Sequence, residues 1–254
     1  MGILFTKVRG NILTTLMGNV LTEGMGKVLD IYTIPPRTAL CGLIGAIIGL
    51  EKEGNDYLKY FPTESAHIAL RLLNPIKKTV IAENLINTKN ARGPGMNLII
   101  NRTQIRFEFL KNQKYRIYFC YTDEEDGIYQ KLKYNLTNHK TKYTPCLGLS
   151  ENIANFKFVG EFEIKNLSSS DVYIPISTVI PLQKISPDNG ISFEREGEYF
   201  SIRMPVELNT ERVVTKYGDI IFDRKGKPIK AKLIEPVNTI KSSDGRSENI
   251  VFIE

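Results

Sequence analysis

The sequence predicts an α+β chain: a βαββαβ core, a basic β-hairpin inserted within it, and a small all-β part after it. Three observations predict it. Residues 39–50 form a helix-length run that is apolar on every side, and a second helical period, with Ile128, Leu132 and Leu136 four apart, follows the acidic run 123–126. Short β-type runs surround both helices. Beyond residue 166 no helical period survives, and β-type runs alternate with the turns PDNG, DRKG and SSDGRS. The chain has 254 residues, 42% of them hydrophobic, which suffices for a sizeable core and excludes disorder as the whole answer.

Residues 3–8 read as the first strand, and 10–34 as a Gly-interrupted connection with no assigned element. Pro35 and Pro36 fix an extended approach, after which Thr38 is expected to cap a buried helix. Gly42, Gly45, Ala46 and Gly49 line one side of that helix. Glycine in a helix interior costs about 1 kcal/mol against alanine, so close packing of Gly45 and Gly49 on a sheet is expected. A short helix is read at 64–73, then a strand at 79–86, a glycine-rich tip NTKNARGPGMN at 87–97, and a strand at 98–110. Together these make a hairpin over about 84–108. A strand at 115–122, the helix from Ile128, the loop TKYTPCLGLSEN and a strand at 156–164 complete the core. The order over 1–165 is that of ferredoxin-like, RRM-like domains. Residues 166–254, with β-type runs at 172–176, 197–204, 219–222, 230–234 and 250–253, are expected to form a β-rich domain.

Charge is unevenly placed. Residues 1–70 carry six basic and six acidic side chains, 71–145 carry fourteen and six, and 146–254 carry fourteen and sixteen. The middle third, at +8, exceeds the whole chain's net +6. Residues 86–116 hold seven cations against Glu108 alone. Such a concentration is the electrostatic footprint of a polyanionic partner.

Other chemistry is excluded by the same reading. Cys41, Cys120 and Cys146 are scattered and His67 and His139 lie far apart, so neither a disulfide framework nor a zinc site is expected, and a reducing, cytoplasmic setting fits. No signal peptide or membrane span is read: the longest apolar run, 39–50, is too short to cross a bilayer. P-loop, dinucleotide, GxSxG and HExxH patterns are absent, and GLIGAIIG lies inside a helix rather than in a loop before one. The basic-Gly-aromatic opening of an RNP1 strand is also missing, so any RNA must be met by loops and the hairpin.

PPRTALCGLIGAIIGLE (35–51) and YTPCLGLSENIANFKFVGE (143–161), separated by a basic hairpin, resemble the CRISPR-associated Cas family five, closest to subtype I-B. The chain departs from that family at 11–30, which lacks the aromatic and basic residues often found there. The resemblance implies a RAMP-type ferredoxin-like core with a thumb hairpin. It implies a non-catalytic subunit that holds the 5′ handle of crRNA in a type I Cascade complex, beside backbone and large subunits, meeting target DNA through the complex. No cofactor or metal is implied. The RNA-binding residues expected are Arg37 and Thr38 at the helix start, Lys89, Arg92 and Arg102 on the hairpin, and Lys140 and Lys142 after the second helix. The alternative is the metal-independent endoribonuclease of one branch of the family, for which His139, Lys140 and Tyr143 carry suitable chemistry.

Overall fold

The computed structural model describes residues 2–9, 12–13, 28–29, 32–86, 102–122, 127–150, 152–167, 172–241 and 247–254. In chain order these form β1 (Gly2–Arg9), β2 (Ile12–Leu13), β3 (Val28–Leu29), α1 (Arg37–Ile48), β4 (Ala66–Leu72), β5 (Lys78–Ile86), β6 (Arg102–Lys111), β7 (Lys114–Tyr121), α2 (Ile128–Thr137) and β8 (Asn155–Leu167). Then follow β9 (Ile174–Ile176), β10 (Ile180–Pro181), β11 (Ile191–Ser192), β12 (Tyr199–Leu208), β13 (Val214–Asp223), β14 (Ile229–Ala231), β15 (Val237–Lys241) and β16 (Ser247–Ile250). No helix among the described residues is long and apolar enough to cross a membrane.

The main sheet has six strands in the order β16-β15-β8-β1-β7-β4, every pairing antiparallel. α1 connects β1 to β4 and α2 connects β7 to β8, so each helix bridges strands that are not neighbours. A bulge breaks the β1–β8 register between Phe5 and Thr6, and Gly160, at φ 152°, stands at it.

β4 replaces the short helix expected at 64–73. Its apolar residues serve two faces at once: Ala66, Ile68, Leu70 and Leu72 join the helix-side core, while Ala69 packs with Tyr118, Cys120, Ile250 and Phe252 on the other side. A strand buried on both faces loses the polar alternation that would identify it. Its outer edge is also covered, since the Val179 and Ile253 amides donate to the Leu70 and Ile68 carbonyls.

α1 is buried as expected, with Leu40, Cys41, Leu43, Ile44, Ile47 and Ile48 inside. Its glycines act differently from the expectation. A Cβ on Gly45 would meet Tyr57 and Phe61 at 3.8 Å, ordinary contact with a 3-10 segment rather than with the sheet. Gly49 ends the helix at φ 79°, where the Gly49 and Leu50 amides both reach the Gly45 carbonyl. A Cβ there would stand 2.5 Å from the Lys142 stem. In α2, Ile128, Leu132 and Leu136 are buried as their spacing requires.

The C-terminal part is rich in short strands, yet it does not keep to itself. β15 pairs with β8, and Val179, Met204, Val206, Ile220, Phe222 and Ile253 share one core with α1, α2, β4 and β7. A second cluster, including Ile176, Ile180, Ile221, Ile229 and Val251, lies among the C-terminal strands.

Candidate nucleic-acid interface

Arg37 is the clearest departure from the sequence reading. It is 1% exposed. Its Nη1 donates to the Val206 carbonyl at 3.2 Å, and its Nη2 lies 2.6–3.1 Å from the Phe61, Pro62 and Ala66 carbonyls. The guanidinium therefore ties α1, the turn before β4, and β12 together, and it presents nothing to a phosphate. Thr38 is half-buried, and Pro36, extended at φ −65° and ψ 156°, occupies the cap position with no side-chain cap. The helix start is a structural joint, not an anion site.

The inserted hairpin is longer at its base than expected. β5 and β6 pair from Lys78 opposite Leu110 to Ile86 opposite Arg102. β2 and β3 flank β6 on the same sheet. On β6 Phe107 and Phe109 are buried and Arg106 is exposed, whereas on β5 Val80 (53%), Ile81 (40%) and Leu85 (39%) are all exposed, so only β6 carries the packing at the base. Lys78 pairs with Glu108 at 2.9 Å. Lys89 and Arg92 lie outside the described residues; the backbone of Arg102 opens β6.

After α2 the chain folds back on the end of α1. The Lys142 and Tyr143 amides donate to the Ile47 and Ala46 carbonyls, and Asn135 Nδ2 donates to the Ile47 carbonyl at 2.8 Å. His139, at φ 51°, stacks on Phe156 with ring centroids 4.6 Å apart. Lys140 Nζ sits 5.5 Å over the Tyr134 ring. The Tyr143 hydroxyl donates to Glu51 Oε1 at 3.0 Å, a bond that raises its pKa. Lys140 and Lys142 are exposed. Among the described residues, no hydrogen bond or ring contact joins His139, Lys140 and Tyr143 to one another.

The sheet face opposite the helices, where RRM-like domains stack bases, is covered over β4 and β7 by the chain itself. Glu248 of β16 takes Arg71 at 2.6 Å and Arg116 at 2.9 Å on one oxygen and the Tyr118 hydroxyl on the other. Burial alone would raise the Glu248 carboxyl, but the Tyr118 hydrogen bond and the two guanidinium groups hold it below the usual carboxylate range. Beside this, His67 Nδ1 meets Glu254, which also pairs with Lys184 at 3.1 Å. Two cations of the basic middle third are thus consumed internally. The sequence held no local signal for this, because Glu248 is 132 positions from Arg116.

Of the three cysteines, Cys41 and Cys120 are buried and Cys146 is half-buried. Burial pushes the Cys41 and Cys120 thiols up to about 11, and among the described residues no group of three His, Cys, Asp or Glu could hold a metal ion.

Neither a protein-family model nor a curated protein matches the sequence, whereas solved structures do. A CRISPR protein from Archaeoglobus fulgidus matches with a TM-score of 0.51 and 14% identity, over 100% of both chains. A chain of a CRISPR RNA-guided surveillance complex matches with a TM-score of 0.50 and 12% identity, over 91% of this chain and 92% of its own. At these identities the likeness is one of fold: the chain has a mixed α and β architecture shared with CRISPR-associated proteins of known structure.

Proposed function

We propose that this chain is a non-catalytic, RNA-binding subunit of a CRISPR RNA-guided surveillance complex, with a ferredoxin-like core, that holds the 5′ handle of crRNA. The observation that carries the reading is the fold likeness over nine-tenths of both chains to a member of such a complex. The strand order β8-β1-β7-β4, with α1 and α2 as the two crossovers, supports the ferredoxin-like part. The basic excess of residues 71–145 supports a polyanionic partner. The helix side of the main sheet and the β4–β7 part of its other face are occupied, so the RNA would run over the hairpin and the loop that follows α2. Contacts of that kind go mainly to phosphates and sugars and position a guide more than they read it.

Fluorescence anisotropy with repeat-derived single-stranded RNA tests the reading. Binding should weaken steeply between about 50 and 200 mM salt, as expected where several phosphates are neutralised. Absent binding, or affinity indifferent to salt, overturns it. The same mixture kept in EDTA separates the endoribonuclease alternative: RNA should remain intact. Cleavage that disappears in His139→Ala would replace the binding subunit with an enzyme.

A further inference from the structure

The outer side of α2 carries an arrangement that neither the sequence reading nor the fold likeness assigns. Tyr134 is 57% exposed, the most exposed tyrosine of the described core helices. Lys131, three residues earlier on the same exposed face, is also exposed, as are Gln130, Thr137 and Asn138. Lys140 returns over the ring from the other end, its Nζ 5.5 Å from the centroid and 3.5 Å from the hydroxyl. The Lys142 amide and the Asn135 side chain share the Ile47 carbonyl, which fixes the lysine-bearing loop against the helix.

Residues 127–150 hold Lys131, Lys133, Lys140 and Lys142 and no acidic side chain. Of the carboxylates that approach from other elements, Glu161 is engaged by Lys133 and Tyr129 and Glu51 by Tyr143, while Glu53 lies on the Tyr143 side of the loop. An exposed aromatic ring beside cations suits a flat, neutral group joined to anions. That is a base with its phosphates. A duplex keeps its bases stacked on one another, so the ligand is single-stranded.

We propose that Tyr134, with Lys140 at its ring and Lys131 one helical turn away, is a stacking site for one unpaired base of single-stranded RNA, whose neighbouring phosphates lie on the lysines. The proposal rests on the RNA-binding reading above and adds to it a place and a contact. The ring supplies affinity that salt does not screen, and the lysines supply the part that it does.

The test uses the whole chain and a short fluorescein-labelled oligoadenylate. Tyr134→Ala should weaken binding by about tenfold with an unchanged salt slope, and Tyr134→Phe should stay within about twofold. Lys131→Ala with Lys140→Ala should lower the slope of log K against log salt by roughly 1.4, about 0.7 for each lost single-strand phosphate contact. Melting temperatures should match throughout, because these side chains are exposed. Wild-type protein that does not bind overturns the RNA-binding reading and the site with it. Wild-type binding that Tyr134→Ala leaves within about twofold overturns the stacking site alone and leaves this face to a protein partner.

Discussion

On the helix-bearing face of the main sheet, Ile68, Leu70, Ile117 and Phe119 meet α1 and α2 chiefly through apolar packing. On the opposite face Arg71, Arg116 and Tyr118 meet Glu248, and His67 meets Glu254, beside a smaller apolar cluster of Ala69, Cys120, Ile240, Ile250 and Phe252 with Phe162 and Ile164 against it. The same strands thus present carbon to one side and titratable groups to the other. The first kind of closure ignores pH and salt; the second depends on both. Over β4 and β7 neither leaves a described sheet surface open.

The largest effect expected comes from the exception on the apolar side. Arg37 is a buried cation whose partners are four carbonyls. Arg37→Met removes the donors to the Val206, Phe61 and Ala66 carbonyls in a closed space, while the Pro62 carbonyl keeps the Ala66 amide, and this should cost about 3 kcal/mol or more. A urea titration followed by circular dichroism measures it. Arg37→Lys should recover only part, since one ammonium cannot reach both β12 and the turn before β4. A midpoint unchanged in Arg37→Met would mean that water reaches these carbonyls.

The polar side should respond to acid. Glu248 and Glu254 both titrate below an unfolded glutamate, taken as about 4.3. For Glu254, burial would raise the carboxyl, but the His67 hydrogen bond and the Lys184 charge bring it down to about 2. A depressed carboxyl stabilises the fold fully above its unfolded pKa and loses that contribution as pH falls through the folded one. Melting temperature should therefore be level above about pH 5 and decline toward about pH 2. In Glu248→Gln with Glu254→Gln the starting value should be lower and the decline shallower. A double variant with the wild-type slope would show that other carboxyls govern acid unfolding.

The contrast also explains what was legible in the sequence. β7 follows from an aromatic and β-branched run of strand length, β8 from local alternation and α2 from four-residue spacing, although β7 and β8 both serve two cores. β4 does not, since Ala69 interrupts the polar alternation of His67 and Arg71 and the Ala- and Leu-containing run AHIALRL reads equally as a helix. Arg37 was misread for a related reason: a cation beside a helix start is usually solvated, and the carbonyls that hold it lie 24 to 169 positions away. Of the expected RNA contacts, Lys140 and Lys142 are exposed at the end of α2 and Arg37 is not available. Tyr134 and Lys131 were visible only as an acid-free stretch, and a helix had to be built before they shared a side.

The smallest effect on stability is expected at the hairpin, which belongs to neither face. Along β5 no described large apolar side chain is buried, and on β6 burial begins at Phe107 and strengthens toward Leu110. Packing therefore holds the base of the hairpin, while residues 88–97 hold Lys89 and Arg92 and almost no large apolar side chain. Replacing residues 88–97 with a short Gly-Ser turn should leave the melting temperature nearly unchanged. Lys89→Ala with Arg92→Ala should lower the salt slope of single-strand RNA binding by roughly 1.4 if both touch phosphates. This loss should add to that of the α2 lysines, because the two sets sit on different elements and share no described partner. Slopes that fail to add would mean that RNA reaches only one of the two places at a time. A shortened chain that unfolds would make the tip part of the core and return the basic excess to a structural role.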